Sequence, residues 1–215
     1  MATVAVIDYG MGNIRSVSKA LEHAGVACKV RVSNQARQIL AADRVVFPGV
    51  GALRDCLDEI HRLELDEVIR QCIRTRPFLG ICLGMQALMD CSEENDGTPA
   101  LGVIPGQVLH FAGRIDQVEP SLKIPHMGWN QVTQQGGHKL WAGIPQNSRF
   151  YFVHSYYVHP LAEEVTVGTT DYGLRFCSAL TRENVFAVQF HPEKSQHAGL
   201  SLLANFLRWD GECGA

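Results

Sequence analysis

Three side chains of this 215-residue chain have the types and settings needed for covalent chemistry at a carbonyl carbon: Cys82, His191 and Glu193. Cys82 lies between Gly80 and Gly84, after an apolar run (Phe78 to Ile81) that reads as a short buried strand. Leu83 to Met89 then reads as a helix, so the cysteine falls at a sharp strand-to-helix turn. Glycines two residues before and after allow the two backbones to close on each other there. Such a turn lifts the sulfur out of the sheet to the start of a helix, where unpaired N–H groups favour thiolate over thiol. The alternative for a cysteine among apolar residues is a small core hydrophobe. Far along the chain, the strand-like Phe186-Ala-Val-Gln-Phe190 is followed at once by His191-Pro192-Glu193. Pro192 fixes its own φ and restricts the histidine before it. A carboxylate two residues beyond an imidazole can hold one ring nitrogen and leave the other as base toward a thiol. Cys82, His191 and Glu193 would then be nucleophile, base and orienter; an ion pair on a surface turn is the alternative.

The elements that must position these groups follow from periodicity. Val4–Ile7, Ala27–Val32 and Arg44–Phe47 read as strands. Helices are expected from an Asn13 cap to His23 and over Gln35–Leu40, Leu53–Ile60 and Glu64–Ile73. Alternating strands and helices through about residue 90 predict an α/β fold, a three-layer open and mostly parallel sheet with helices on both faces. Reactive loops in such sheets gather beyond the carboxyl ends of the strands, which brings residues 8–13, residues 48–52 and the Cys82 turn to one edge. Gly49-Val50-Gly51 can rotate its peptide planes and aim N–H groups into a cavity as an oxyanion hole, or it can be a plain loop. Gly10-Met-Gly12 lacks both phosphate-loop spacings and reads as a tight turn.

The second half changes character. Leu101–Ile104, Val108–Phe111, Trp129–Thr133, Arg149–Val153, Val165–Thr169, Arg175–Ala179 and Val185–Phe190 are strand candidates with few helices between them, predicting mixed or antiparallel strands that extend the sheet. A closing helix starts at Gln196 or Ala198 and runs to Trp209. The organisation expected is one domain over residues 1–210 and a tail over 211–215.

Hydrophobic residues make up 46% and charged residues 19%, so the chain can bury a substantial core. A net charge of −3 with no basic block argues against nucleic acid as a partner. No apolar run approaches a membrane span, and the start reads as a strand rather than a signal peptide. The seven cysteines (Cys28, Cys56, Cys72, Cys82, Cys91, Cys177 and Cys213) are odd in number and scattered, without a Cys-x-x-Cys pair. That argues against a disulfide framework or a structural zinc site and fits a reducing cytoplasm.

Gly80-Ile-Cys-Leu-Gly-Met-Gln86 together with His191-Pro-Glu193 resembles the triad-type, class I glutamine amidotransferases. Within that class, Asp8-Tyr-Gly-Met-Gly-Asn13, Pro48-Gly-Val-Gly51, Pro125-His-Met-Gly-Trp-Asn130, Tyr151-Phe-Val-His-Ser-Tyr156 and His191-Pro-Glu-Lys-Ser-Gln196 look like the glutaminase subunits of imidazole glycerol phosphate synthases. The likeness runs from Val4 to about Leu207. It implies a flavodoxin-like fold and hydrolysis of L-glutamine to glutamate and ammonia through a Cys82 thioester, with His191 and Glu193 completing the triad. It also implies oxyanion donors from the Leu83 N–H and from the Gly49-Val50-Gly51 backbone, the latter after a peptide flip. Glutamine contacts are expected from Gln86, Ser155 and Tyr156, with His154 less favoured and simple packing the alternative for the tyrosines. The partner implied is a (β/α)8-barrel cyclase subunit in a heterodimer, reached by an ammonia channel, which uses a phosphoribulosyl aminoimidazole-carboxamide ribonucleotide (PRFAR) in histidine biosynthesis. Tyr9, Asn13, Met127, Trp129, Asn130 and Lys194 are the interface candidates. No cofactor or metal is implied. The rivals are a glutaminase of this class serving the pyridoxal phosphate, anthranilate-type or guanylate pathways, and a related elbow-cysteine hydrolase.

Overall fold

A computed structural model describes residues 2–115 and 121–212. The first half runs β1 (Ala2–Ile7), α1 (Ile14–His23), β2 (Cys28–Ser33), α2 (Ala36–Leu40), β3 (Arg44–Gly49), α3 (Leu53–Arg62), α4 (Asp66–Thr75), β4 (Phe78–Cys82) and α5 (Leu83–Gln86). The second half comprises β5 (Cys91–Ser92), β6 (Thr98–Pro99), β7 (Gly106–His110), β8 (His126–Gln131), β9 (Thr133–Gln134), β10 (Arg149–His154), β11 (Tyr156–Pro160), β12 (Thr166–Asp171), β13 (Arg175–Arg182), β14 (Val185–Val188) and α6 (Gln196–Arg208).

β4 is a central strand, paired in parallel with β3 on one side and β14 on the other. β1 and β2 continue the parallel half. Beyond β14 the pairing turns antiparallel through β13, β11 and β7, with β5 and β6 at the far edge and β12 and β9 branching from β13. Strand alternation sorts the apolar side chains into two cores. Ala5, Ile7, Val45 and Phe47 pack with α3 and α4, while Val4, Val6, Val46, Leu79 and Ile81 pack with α1 and α6. Each fully buried aliphatic or aromatic side chain contributes about 1.5–3 kcal/mol. This is the three-layer α/β architecture expected from the sequence.

Several local expectations need correction. Leu101–Ile104 is not a strand; its amides donate to the carbonyls of Ala87, Leu88 and Met89, closing the C-terminal side of the α5 segment. Those carbonyls have no intrahelical partners, and the loop supplies them. The helix after Cys82 is a single turn followed by further turns, not a helix to Met89. Tyr156–Pro160 is a strand that sequence periodicity missed, held between β7 and β13. β8 and β10 do not extend the main sheet but pair as a separate antiparallel ribbon. The Asn13 side chain makes no capping bond to α1. The tail begins against the domain, where the Trp209 indole donates to the Glu212 carbonyl at 2.8 Å; residues 213–215, Cys213 among them, lie outside the described residues.

One of the tightest backbone contacts is where α5 meets β3. A Cβ on Gly84 would lie 1.9 Å from the Phe47 carbonyl oxygen, and one on Gly80 would lie 2.9 Å from the Gly84 carbonyl. The Gly84→Ala variant is therefore expected to lose about 3 kcal/mol or more. Gly137→Ala, where an added Cβ meets nothing within 4 Å, should be nearly neutral; urea midpoints of the two variants check the contrast.

Candidate active site

Cys82 ends the central strand with φ 54° and ψ −107°, a conformation that costs a non-glycine residue about 1–3 kcal/mol. The strain is held by pairing on both sides of β4 and by the close fit of Gly80 and Gly84. This is the predicted elbow. It turns the sulfur into a cavity of about 320 Å³ whose wall includes Val50, Gly51, Leu83, Gln86, His154, Ser155, Tyr156 and His191.

His191 reaches the same cavity from the end of β14. Its backbone N–H donates to the Tyr151 carbonyl at 2.9 Å. The Ser195 hydroxyl donates to the His191 carbonyl at 2.6 Å and accepts from the Tyr151 N–H at 3.0 Å. A short 3-10 turn, Pro192–Lys194, folds the Glu193 carboxylate back onto the ring. The His191 Nδ1–H donates to Glu193 Oε1 at 2.8 Å, with both side chains almost wholly buried. The Nε2 atom is left with no hydrogen-bond partner among the described residues. Burial opposes charge on the imidazole, but the nearby Cys82 sulfur and the Glu193 carboxylate override it and raise the His191 pKa above its ordinary value. A base with one nitrogen held by a buried carboxylate and the other open toward a thiol can both accept and return a proton.

The remaining sequence candidates divide. Val50, Gly51 and Leu83 line the cavity; Leu83 is the first residue of α5, so its N–H has no intrahelical acceptor. Gly49 lies behind the wall, where an added Cβ would sit 2.5 Å from the Tyr9 hydroxyl and 2.8 Å from Leu83 Cβ. Gln86, Ser155 and Tyr156 are all in the wall. Tyr9 is corrected as an interface candidate: it is fully buried and its hydroxyl donates to the Pro48 carbonyl at 2.9 Å, propping the end of β3. Asn130 is half-buried, its amide donating to the Asp171 carbonyl at 2.9 Å and meeting His126 Nε2 at 3.3 Å. Asn13 is half-buried. Met127 and Trp129 are 62% and 41% exposed on the outer face of β8. There Trp129 meets Tyr151 edge-on at 6.1 Å, and the exposed Lys194 ammonium lies 5.7 Å from the Tyr151 ring centre.

Sequence reasoning missed two polar groups, Glu94 and His126. Glu94 joins the cavity wall, and its carboxylate accepts from the Leu53 N–H at 2.6 Å. His154, the less favoured glutamine contact, also stands in the wall, with His126 paired to it from behind. His154 Nδ1 donates to the Tyr156 carbonyl at 2.7 Å, so its Nε2 accepts from His126 Nδ1 at 2.9 Å. A carbonyl can only accept, so both rings are fixed as neutral tautomers. Burial pushes the His126 pKa down to about 4; burial, then the neighbouring His126, pushes His154 down to about 3. A third buried ring, His138, is pushed down to about 4 by burial and Lys139.

Compared with known proteins, the fold and this site define a class-I glutamine amidotransferase. The chain belongs to that family, whose model, "Glutamine amidotransferase class-I", matches residues 5–209. Its curated relatives narrow the placement. The imidazole glycerol phosphate synthase subunit HisH of Nitrosococcus oceani is 60% identical over 98% of this chain and 99% of its own length. Subunit HisH 1 of Pseudomonas aeruginosa is 57% identical over 98% and 99%, and the HisH subunit of Methylococcus capsulatus is 57% identical over 98% of each. Within the class, the chain falls among the HisH subunits. Solved structures show the shared fold: PurLQS from Thermotoga maritima has a TM-score of 0.72 at 17% identity, covering 96% of this chain and 98% of that one. A glutamine amidotransferase from the same organism has a TM-score of 0.64 at 14% identity, covering 96% of each chain. Among the described residues no helix is long and apolar enough to cross a membrane.

The buried histidines give the site a pH signature. A free histidine titrates near 6.5, so below that pH the unfolded chain binds protons that folded His126, His138 and His154 refuse. Their contribution is full above pH 6.5 and is lost as pH falls toward about 4. His191 has the opposite sign: its contribution is full below pH 6.5 and fades as pH rises through its raised value. Below pH 6.5 only the three lowered rings still respond. Stability measured by urea unfolding should therefore fall as pH drops from about 6.5 to about 5, by on the order of 1–2 kcal/mol per lowered histidine.

Proposed function

We propose that the chain hydrolyses L-glutamine to glutamate and ammonia at Cys82, His191 and Glu193 and passes the ammonia to a synthase partner. The observation that carries this reading is the pairing of a strained cysteine elbow with a buried imidazole whose inner nitrogen is held by a carboxylate and whose outer nitrogen opens to the same cavity. His191 Nε2 takes the thiol proton, and Cys82 Sγ adds to the side-chain amide carbon of glutamine. The oxygen charge that develops is met by the Leu83 N–H and by a second N–H from the Val50–Gly51 wall. As the carbon–nitrogen bond breaks, the imidazolium returns its proton to the departing ammonia, leaving a thioester. Water, deprotonated by His191, then adds to the thioester, the carbon–sulfur bond breaks, and glutamate leaves with the thiol restored. Gln86, Ser155 and Tyr156 stand in the cavity wall where they contact the substrate's polar groups. One absent oxyanion donor costs about 3 kcal/mol, so a second N–H that turns inward only in a complex would keep the isolated chain nearly silent.

The partner that fits is a (β/α)8-barrel cyclase forming a heterodimer and using PRFAR, as the sequence resemblance implies and as the relatives' description as synthase subunits supports. Exposed Met127 and Trp129 beside Tyr151 form an apolar face on the β8–β10 ribbon. That ribbon holds the His191 turn through both backbone bonds of Tyr151. A sealed route from the cavity would keep ammonia from protonation and loss.

Glutamate release should be weak from the chain alone, strongly stimulated by a histidine-pathway cyclase with its nucleotide ligand, and absent in Cys82→Ala. Activity without stimulation would point to another synthase, and no Cys82-dependent glutamate from a verified complex would end the catalytic reading. Glu193→Gln should lower kcat on the order of 10²–10⁴-fold, because the imidazolium loses its counter-charge. Lys194→Ala should reduce ligand-stimulated turnover with an unchanged melting temperature; a titration of cyclase-stimulated activity against both proteins decides it.

A further inference from the structure

The Gln189 side chain is wholly buried in a strand end otherwise built from apolar residues, and nothing in the triad scheme uses it. The register places it beside the nucleophile: β14 pairs with β4 at Val188 and Ile81, and the residues that follow are Gln189, just past β14, and Cys82, the end of β4. Gln189 Nε2 lies 3.6 Å from Cys82 Sγ, an ordinary N–H to sulfur contact.

The direction of that contact is dictated by a backbone carbonyl. One terminal atom of Gln86 touches both the Tyr156 carbonyl oxygen, at 3.0 Å, and the near terminal atom of Gln189, at 3.1 Å. A carbonyl only accepts, so the Gln86 atom is nitrogen, the Gln189 atom facing it is oxygen, and the Gln189 NH2 must face the sulfur. Flipping either amide would set like groups against each other in a buried site, where an unmade hydrogen bond is costly.

Resting on the glutaminase reading above, we propose that Gln189 is a further residue of the catalytic centre, donating an N–H to Cys82 Sγ that stabilises the sulfur as the attacking thiolate and again as the leaving group when the thioester is hydrolysed. The tie also orients the sulfur within the cavity, with Gln86 as the group that holds Gln189 in register.

Alkylation tests the bond without requiring turnover. Iodoacetamide labelling of the Cys82 peptide is followed by mass spectrometry across pH, with the partly exposed Cys28 and Cys91 as internal references. Gln189→Met, close in volume but without a donor, should slow Cys82 labelling near pH 7 by about tenfold, with the gap closing at high pH where the thiol ionises unaided. In the stimulated complex kcat should fall by a similar factor with KM changing less. Labelling unchanged at every pH, or slowed equally at every pH, would overturn the proposal in favour of packing alone. Should Gln189→Met fail to fold, Gln189→Leu, also apolar and without a donor, takes its place. It should slow labelling near pH 7 as much, and unaltered labelling would overturn the proposal. If wild type makes no glutamate but the labelling contrast persists, the glutaminase reading fails while the bond to Cys82 stands.

Discussion

The contact between the first turn of α5 and the end of β3 governs the rest of this structure. Gly84 rests so closely on the Phe47 carbonyl that no side chain fits between them. This approach lets β4 turn sharply into a helix with Cys82 at the apex, in a backbone conformation few residues tolerate. The cost is distributed over the cross-strand bonds to β3 and β14 and over two cores that bury both faces of the sheet. Tyr9 serves the same junction from below, since its hydroxyl bond to Pro48 fills the space that the absent Gly49 side chain leaves open. A nucleophile held this way is presented by a scaffold and not by a mobile loop.

Burying polar groups around that sulfur creates a second constraint, because each must find a partner. Tyr156, at the start of β11, supplies a carbonyl that accepts from His154 and Gln86 together. His154 extends inward to His126 and Asn130, and Gln86 extends to Gln189 and the sulfur. Because that carbonyl can only accept, it fixes which atom donates along both branches. His191 stands on the other side of the cavity with the opposite electrostatics: a buried carboxylate favours its charge, whereas burial keeps His126 and His154 neutral. One cavity thus holds imidazoles tuned in opposite directions by their neighbours.

The β8–β10 ribbon ties the exposed apolar face to the triad. Tyr151 offers its ring to Trp129 and Lys194 on the outside, while its backbone N–H and carbonyl hold Ser195 and His191 on the inside. A surface that moved this strand would move the base. The same strand carries Phe150 and Phe152 into the core, and this anchors it against such movement in the isolated chain.

The elbow, the His-Pro-Glu turn and the parallel half of the sheet were legible in the amino-acid order alone. Each depends on local chemistry: glycine spacing around Cys82, proline restriction beside His191, and apolar periodicity through Ile73. Local chemistry was silent or misleading where a residue's role depends on what lies opposite it. Tyr9 reads as an interface residue because a polar group without a visible local partner looks available, but Pro48, distant along the chain, engages it. Leu101–Ile104 has the composition of a strand, yet the carbonyls of the α5 segment took its amides. The separation of β8 and β10 from the main sheet, the strand at Tyr156–Pro160 and the position of Gln189 beside the sulfur were likewise settled by tertiary pairing. Hydrogen-bond partners across a sheet are chosen by register, and register is a property of two strands that neither one encodes alone.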